Sequence, residues 1–211
     1  GNYTILALLP SYLERPNSSL VFMAAELMKD SAMPGNHFYI NELDELAAKL
    51  KHQEGAGKQT LLIGVTFALV DFALSHPAKL ERTIVMETGG MKGKREEWTR
   101  NRLHSLFTEK WQLKTVHSEY GMTEMLSQAY SSGNGIYKCT NTMRVYSREI
   151  NDPLSTSSSG QGCINVIDLA NIHSCSFIAT EDTGTIYSNG DFEISGRLDH
   201  SALRGCSLMA L

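Results

Sequence analysis

Through about residue 130, short β-rich runs alternate with amphipathic stretches of helical period, and this rhythm limits the chain's fold more than any other feature. Parallel strands cannot be joined by a tight hairpin and need a crossover, ordinarily a helix. The rhythm therefore specifies βα units and a largely parallel sheet. Strands are predicted at Thr4 to Leu9, His37 to Ile40, Thr60 to Thr66, Thr83 to Glu87 and Lys114 to His117. Leu20, Met23, Ala24, Leu27 and Met28 share one helical face behind the capping candidates Asn17 and Ser18, with Pro34-Gly35 as the stop. Leu43, Leu46, Ala47 and Leu50 repeat the pattern after Asn41, and Glu96 to Glu109 makes a third, more charged helix.

From Ser131 the character changes. Gly133, Gly135, Pro153 and the Ser155 to Gly160 cluster break the helical rhythm, and the remaining runs alternate as strands. Met143 to Arg148, Cys163 to Leu169, Ser176 to Thr180 and Phe192 to Ser195 are the candidates, with Asn189-Gly190 as a hairpin turn. The expected fold class is α/β, a parallel-sheet βα layer over residues 1–130 followed by a small antiparallel β subdomain over 131–211.

Charge and hydropathy remove several function classes. With 19 Lys+Arg against 23 Asp+Glu the net charge is -4, which leaves no cation excess to neutralise a nucleic acid backbone or an anionic membrane. The longest mostly apolar run, Leu61 to Leu74, is interrupted by Gly64, Thr66 and Asp71 and is too short for the ~20 residues of a membrane span. Ile5 to Leu9 lacks the basic flank and cleavage site of a signal peptide. Cys139, Cys163, Cys175 and Cys206 form no CxxC pair, so reduced thiols and a cytoplasmic protein are expected. An opening of Gly1-Asn2-Tyr3 running straight into a strand reads as part of something longer.

Gly89-Gly90-Met91-Lys92-Gly93-Lys94 lacks the spacing and the Ser or Thr of a Walker A loop, because Arg95 stands in that place. It remains a Gly-rich turn at the carboxyl end of a strand, the edge where open α/β sheets bind ligands. His173 and Cys175, with Cys163 on a neighbouring strand, match no standard zinc spacing and read as core residues. GxSxG and HExxH are absent, which removes α/β-hydrolase and zincin chemistry.

His117-Ser118-Glu119-Tyr120-Gly121-Met122-Thr123-Glu124 is the most informative stretch, setting a hydroxyl and a carboxylate beside an aromatic ring after a strand. Its Tyr-Gly-x-Thr-Glu resembles the signature of the adenylate-forming superfamily: acyl-CoA synthetases, luciferases and peptide-synthetase adenylation domains. Three further stretches follow in the superfamily's order. Thr88-Gly89-Gly90-Met91 resembles its adenine-contacting loop, Thr180-Glu181-Asp182-Thr183-Gly184 its Thr-Gly-Asp-x-Gly stretch, and Gly196-Arg197-Leu198-Asp199 its Gly-Arg-x-Asp hinge. The ending, Arg204-Gly205-Cys206-Ser207-Leu208-Met209-Ala210-Leu211, is similar to the acyl-protein synthetases of the bacterial luminescence type, which stop soon after the hinge and carry an acyl-accepting cysteine there.

The resemblance implies a nucleotide-binding role for the α/β portion and binding of ATP, AMP and Mg²⁺. Gly89, Gly90 and Met91 would contact the adenine and Tyr120 its face, Gly121 would belong to the same nucleotide site, and Asp182 and Arg197 would meet the ribose. Thr123 would contact the phosphate, Glu124 Mg²⁺, and Cys206 would accept the acyl group. A fatty or other carboxylic acid is the implied substrate, and an acyl-accepting or reductase protein the implied partner. The superfamily's Ser/Thr/Gly-rich phosphate loop should lie before the first strand, and none precedes Tyr3, so the expectation is the second half of an acyl-protein synthetase, inactive alone. An acyl- or aryl-CoA ligase of the phenylacetate type and a non-catalytic half that binds nucleotide or a partner chain are the alternatives.

Overall fold

The structure is a computed structural model and describes residues 3–10, 17–90 and 98–198. The chain divides into two compact units, one running to His117 and the other starting at Ser118.

In the first unit, β1 (Thr4–Leu8), β2 (His37–Tyr39), β3 (Thr60–Val65) and β4 (Thr83–Thr88) lie in the order β2-β1-β3-β4, all parallel. All five residues of β1 are buried, as expected of a strand inside a parallel sheet. The connecting helices are α1 (Ser19–Ser31), α2 (Leu43–Gly55) and α3 (Thr66–Ser75), and α4 (Arg100–Trp111) follows β4. Ser18 starts α1 by accepting a hydrogen bond from the Val21 amide at 3.3 Å, and left-handed Ala32 ends it. Leu6, Leu62, Leu46, Phe72, Phe107 and Trp111 are fully buried in the core of this unit.

Three expectations change here. The strand expected at Thr60 to Thr66 ends at Val65, and α3, a helix the sequence reading lacks, follows it directly. That helix buries seven of its ten residues, Thr66 to Val70 included, and Asp71 alone among charged residues is too little of a polar face to betray its period. The charged helix starts at Arg100, where the Thr99 hydroxyl caps the Arg102 amide; its expected start, Glu96, lies outside the described residues. The strand expected at Lys114 to His117 is instead β5 (His117–Tyr120), because left-handed Gln112 ends α4 and the next residues bury Leu113 and Val116 without pairing.

In the second unit, β6 (Ala129–Ser131), β7 (Tyr137–Cys139), β8 (Met143–Arg148), β9 (Thr156–Ser157), β10 (Gly160–Asp168), β11 (Phe177–Ile186) and β12 (Phe192–Arg197) follow β5. The order is β5-β6-β7-β12-β11-β10-β8-β9, with every pairing antiparallel. Ile164, Val166, Ile186 and Phe192 form its core with Met143 and Val145. The turn at Asn189-Gly190 closes β11 onto β12 through the Tyr187 amide on the Asp191 carbonyl at 2.8 Å. The fold is therefore α/β, a parallel βα layer followed by an antiparallel sheet. His173 and Cys175 are not core residues, since both are exposed in the turn before β11, while Cys163 is fully buried. Among the described residues no group of His, Cys, Asp or Glu could hold a metal by itself, and no helix is long and apolar enough to cross a membrane.

Candidate functional site

β11 carries the Thr180-Glu181-Asp182-Thr183-Gly184 stretch with alternating burial, while its pairing shifts register there against both neighbours, β10 between Cys163 and Asn165 and β12 at Thr183 and Gly184. Thr180, Asp182, Gly184 and Ile186 are buried, while Glu181 is exposed. Asp182 pairs in register with Arg197 of β12, so two residues far apart in the chain become direct cross-strand neighbours. The Arg197 Nε lies 3.3 Å from the Asp182 Oδ1, and an Nη of Arg197 donates to the Glu181 carboxylate at 3.0 Å. The Tyr120 hydroxyl donates to the other Asp182 oxygen, Oδ2, at 2.8 Å. Tyr120 is held in turn by Tyr137 and Phe192, whose ring centroids lie 5.8 and 5.5 Å from its own.

The strand reaches this geometry because side chains stitch it to its neighbours. The buried Thr180 hydroxyl donates to the Ile164 carbonyl at 2.7 Å, and the Asp182 amide donates back to that hydroxyl at 3.2 Å. Arg148 of β8 reaches across β10, giving its Nε to Asn165 at 2.9 Å and an Nη to the Thr180 carbonyl at 2.7 Å. Gly184 is required where it stands, because a Cβ there would collide with the Glu193 carbonyl oxygen of β12. The Tyr120 hydroxyl thus donates to one oxygen of Asp182, and the Arg197 guanidinium stands beside the other as an ion-pair partner.

Gly121 follows Tyr120 and is exposed, and Thr123 and Glu124 stand exposed at the crest of the turn that leads to β6. The base of that turn is buried. Met125 packs in the core, and the Leu126 and Ser127 amides donate to one oxygen of Asp168 at 2.7 and 2.9 Å. The Ser127 hydroxyl and the Ala170 amide donate to the other, at 2.6 and 3.1 Å. Burial alone would push the Asp168 carboxyl up, but the hydrogen bonds from Ser127, Leu126 and Ala170 outweigh it and hold its pKa below the ordinary carboxylate value. Sequence reasoning passed over Asp168, Asn171, Tyr137 and Phe192. A signal for Asp168 was present: it continues the inward parity of Ile164 and Val166, and an unpaired acid on a buried face is rare.

In the first unit, Gly89 follows the last residue of β4 with φ of +72°, a conformation that favours glycine, and Gly90 is half-buried. The Thr66 hydroxyl at the start of α3 lies 3.1 Å from the Gly89 carbonyl and 2.9 Å from the buried Glu87 carboxylate. Met91 and Cys206 lie outside the described residues. The structure thus brings Tyr120, Asp182 and Arg197 together, and it sets Thr123 and Glu124 side by side on one anchored turn.

No protein-family model matches the chain, and no curated protein sequence does. Solved structures of similar fold are ligases and synthetases. MatB of Rhodopseudomonas palustris, solved with ATP bound, is 17% identical with a TM-score of 0.62 over 93% of this chain and 40% of its own. For coronafacic acid ligase of Pectobacterium brasiliense the values are 14%, 0.60, 93% and 39%. O-succinylbenzoate coenzyme A synthetase of Bacillus subtilis, in complex with ATP and a magnesium ion, gives 15%, 0.59, 95% and 43%. The chain shares the fold of part of these enzymes and spans about two fifths of their length.

Proposed function

We propose that this chain is part of an adenylate-forming ligase that activates a carboxylic acid with ATP and passes the acyl group to a protein thiol. The observation that carries the reading is the meeting of Tyr120, Asp182 and Arg197 in a fold whose solved examples include ATP complexes. In this reading Asp182 accepts from the ribose hydroxyls, Arg197 pairs with that carboxylate from the neighbouring strand, and Tyr120 offers its ring to the adenine. Gly89, Gly90 and Met91 form the adenine loop, and Gly121 lets the chain leave the strand. Thr123 bonds a phosphate oxygen. The exposed Glu124 carboxylate is the hard oxygen ligand that Mg²⁺ takes. Bound Mg²⁺ would neutralise charge on the phosphates.

The substrate carboxylate attacks the α-phosphorus and pyrophosphate leaves; a thiolate then attacks the activated carbonyl and AMP leaves. Cys206 is the proposed acceptor, and a fatty acid with a reductase or other acyl-accepting protein are the proposed substrate and partner. Two of the other thiols are poor rivals. Burial, then the nearby Asp191, pushes the Cys139 thiol up to about 11, and Cys163 is fully buried.

The test is acid-dependent exchange of pyrophosphate into ATP by the full-length native protein. Loss of a hydrogen bond to a charged group, about 1.5–3 kcal/mol, predicts that Asp182→Ala raises the KM for ATP by roughly ten- to a hundredfold. An unchanged KM would overturn the assignment. The likeness to a coenzyme A synthetase supports a second reading, transfer to coenzyme A. A hydroxylamine-labile acyl label on the protein, lost in Cys206→Ser and kept in Cys175→Ser, favours the protein thiol. Release of free acyl-coenzyme A favours the second reading.

A further inference from the structure

We propose that Asp168 is a positioning residue that sets the turn carrying Thr123 and Glu124, with Asn171 as its second arm. The inference rests on the reading of that turn as the phosphate and metal contact. Asp168 sits at the end of β10 with no exposed surface, yet neither of its oxygens is spent on a cation. Instead it accepts four hydrogen bonds: the Leu126 and Ser127 amides on Oδ2, and the Ser127 hydroxyl and Ala170 amide on Oδ1.

An ionised carboxylate only accepts, so Ser127 must spend its one proton on Asp168. The Thr142 hydroxyl, 2.7 Å from Ser127 Oγ, is then the donor of that pair, and the network has a single direction. The Ala170 bond folds the chain into the short turn Leu169–Asn171, which delivers Asn171. Its side-chain amide donates to the Glu124 carbonyl at 2.7 Å and to the Cys175 carbonyl at 2.9 Å. The backbone that follows the Glu124 side chain is thereby tied to one strand end: the Glu124 carbonyl through Asn171, the Leu126 and Ser127 amides through Asp168. Thr123 and Glu124 are left exposed on the crest. A carboxylate that must meet a cation gains from a backbone already ordered before the ligand arrives, because the ordering cost is not charged to binding. Asp168 touches neither nucleotide nor metal in this arrangement.

The test uses the full-length native protein with Asp168→Asn, Asn171→Ala and Glu124→Gln. An Asn can accept on one atom only, so the Asp168 variant loses at least one pair of bonds while keeping its volume. The expected result has three parts. Hydrogen exchange at Leu126 and Ser127 rises at least tenfold in Asp168→Asn. AMP affinity, which depends on Asp182, stays within twofold. The Mg²⁺ concentration for half-maximal pyrophosphate exchange rises fivefold or more, and the rate recovers at high Mg²⁺. Asn171→Ala should give a smaller shift of the same kind, and it stands alone as the test if Asp168→Asn does not fold. Faster exchange at these amides with unchanged Mg²⁺ dependence would overturn the proposal, as would an AMP affinity that falls in parallel with the rate. Glu124→Gln separates the two claims. If it leaves Mg²⁺ dependence untouched, the metal reading of the turn is wrong and this proposal falls with it. If it shifts that dependence while neither clamp variant does, only the present proposal fails.

Discussion

Asp168 carries a pH signature that its neighbours do not. Its folded pKa lies below the ordinary value of about 3.9, so the contribution it makes to stability is complete above that pH and is lost as pH falls through the folded pKa. The acid limb of a urea-midpoint curve for the native protein should therefore steepen below about pH 4. Asp168→Asn should be less stable by about 1–3 kcal/mol at pH 7 and should flatten that limb. Equal acid limbs for the two proteins would show that Asp168 gains nothing from its four donors. The other residues of the site were more readable. Tyr120, Asp182 and Arg197 stand in stretches that resemble known motifs, and the contact of Asp182 with Arg197 required only the pairing of β11 with β12, whereas Tyr120 reaches Asp182 from β5, which pairs with neither strand. Asp168 sits in no such stretch, and its partners at 126 and 127 lie about forty residues away, a separation that strand parity cannot bridge.

At the level of elements, the β11–β12 hairpin places Asp182 against Arg197, and Gly184 is where it is most easily disturbed. Gly184→Ala drives a methyl group at the Glu193 backbone, and overpacking of this kind costs about 1–3 kcal/mol. We expect that loss in urea unfolding, accompanied by weaker AMP binding as Arg197 is displaced. Gly55→Ala, at the open end of α2, should be neutral or slightly stabilising. Equal effects of the two substitutions would mean that the strands are not packed this closely. Elements with a clear period were legible from sequence: β1, β3, β4 and β8 fall within a residue of their expected places, and α1 and α2 start where expected but run on past Met28 and Leu50, the last residues of their expected faces. The ones passed over lack a period. α3 is mostly apolar, with Asp71 its one charged residue, and β6, β7 and β9 are two or three residues each, too short to alternate.

Across the whole chain, each unit has a core of its own, one beneath the parallel sheet and one within the antiparallel strands. Leu62→Ala opens a cavity in the first and Ile164→Ala in the second, each expected to cost about 2–5 kcal/mol. Hydrogen exchange resolves where that cost falls. The first should raise exchange in Thr60–Val65 and Thr83–Thr88, and the second in Met143–Arg148 and Gly160–Asp168. A Leu62→Ala protein with unchanged exchange in β3 and β4 would contradict the burial described here.

Glu181 and Asp182 are adjacent acids on opposite faces of β11, one outward and one inward. Two-residue periodicity means that a slip of one position exchanges every inward residue for its neighbour. Gain of a single codon beside Phe177, Ile178 or Ala179 is therefore absorbed in one of two ways. If the preceding turn takes up the extra residue, Asp182 stays inward. If the strand shifts instead, Glu181 takes the inward place, one methylene longer, and Gly184 gives way to Thr183. The gene would still encode both acids, and an alignment would score the change as one gap. The buried carboxylate opposite Tyr120 would nevertheless be a different one, which makes this strand a place where a length change acts as a substitution of the site.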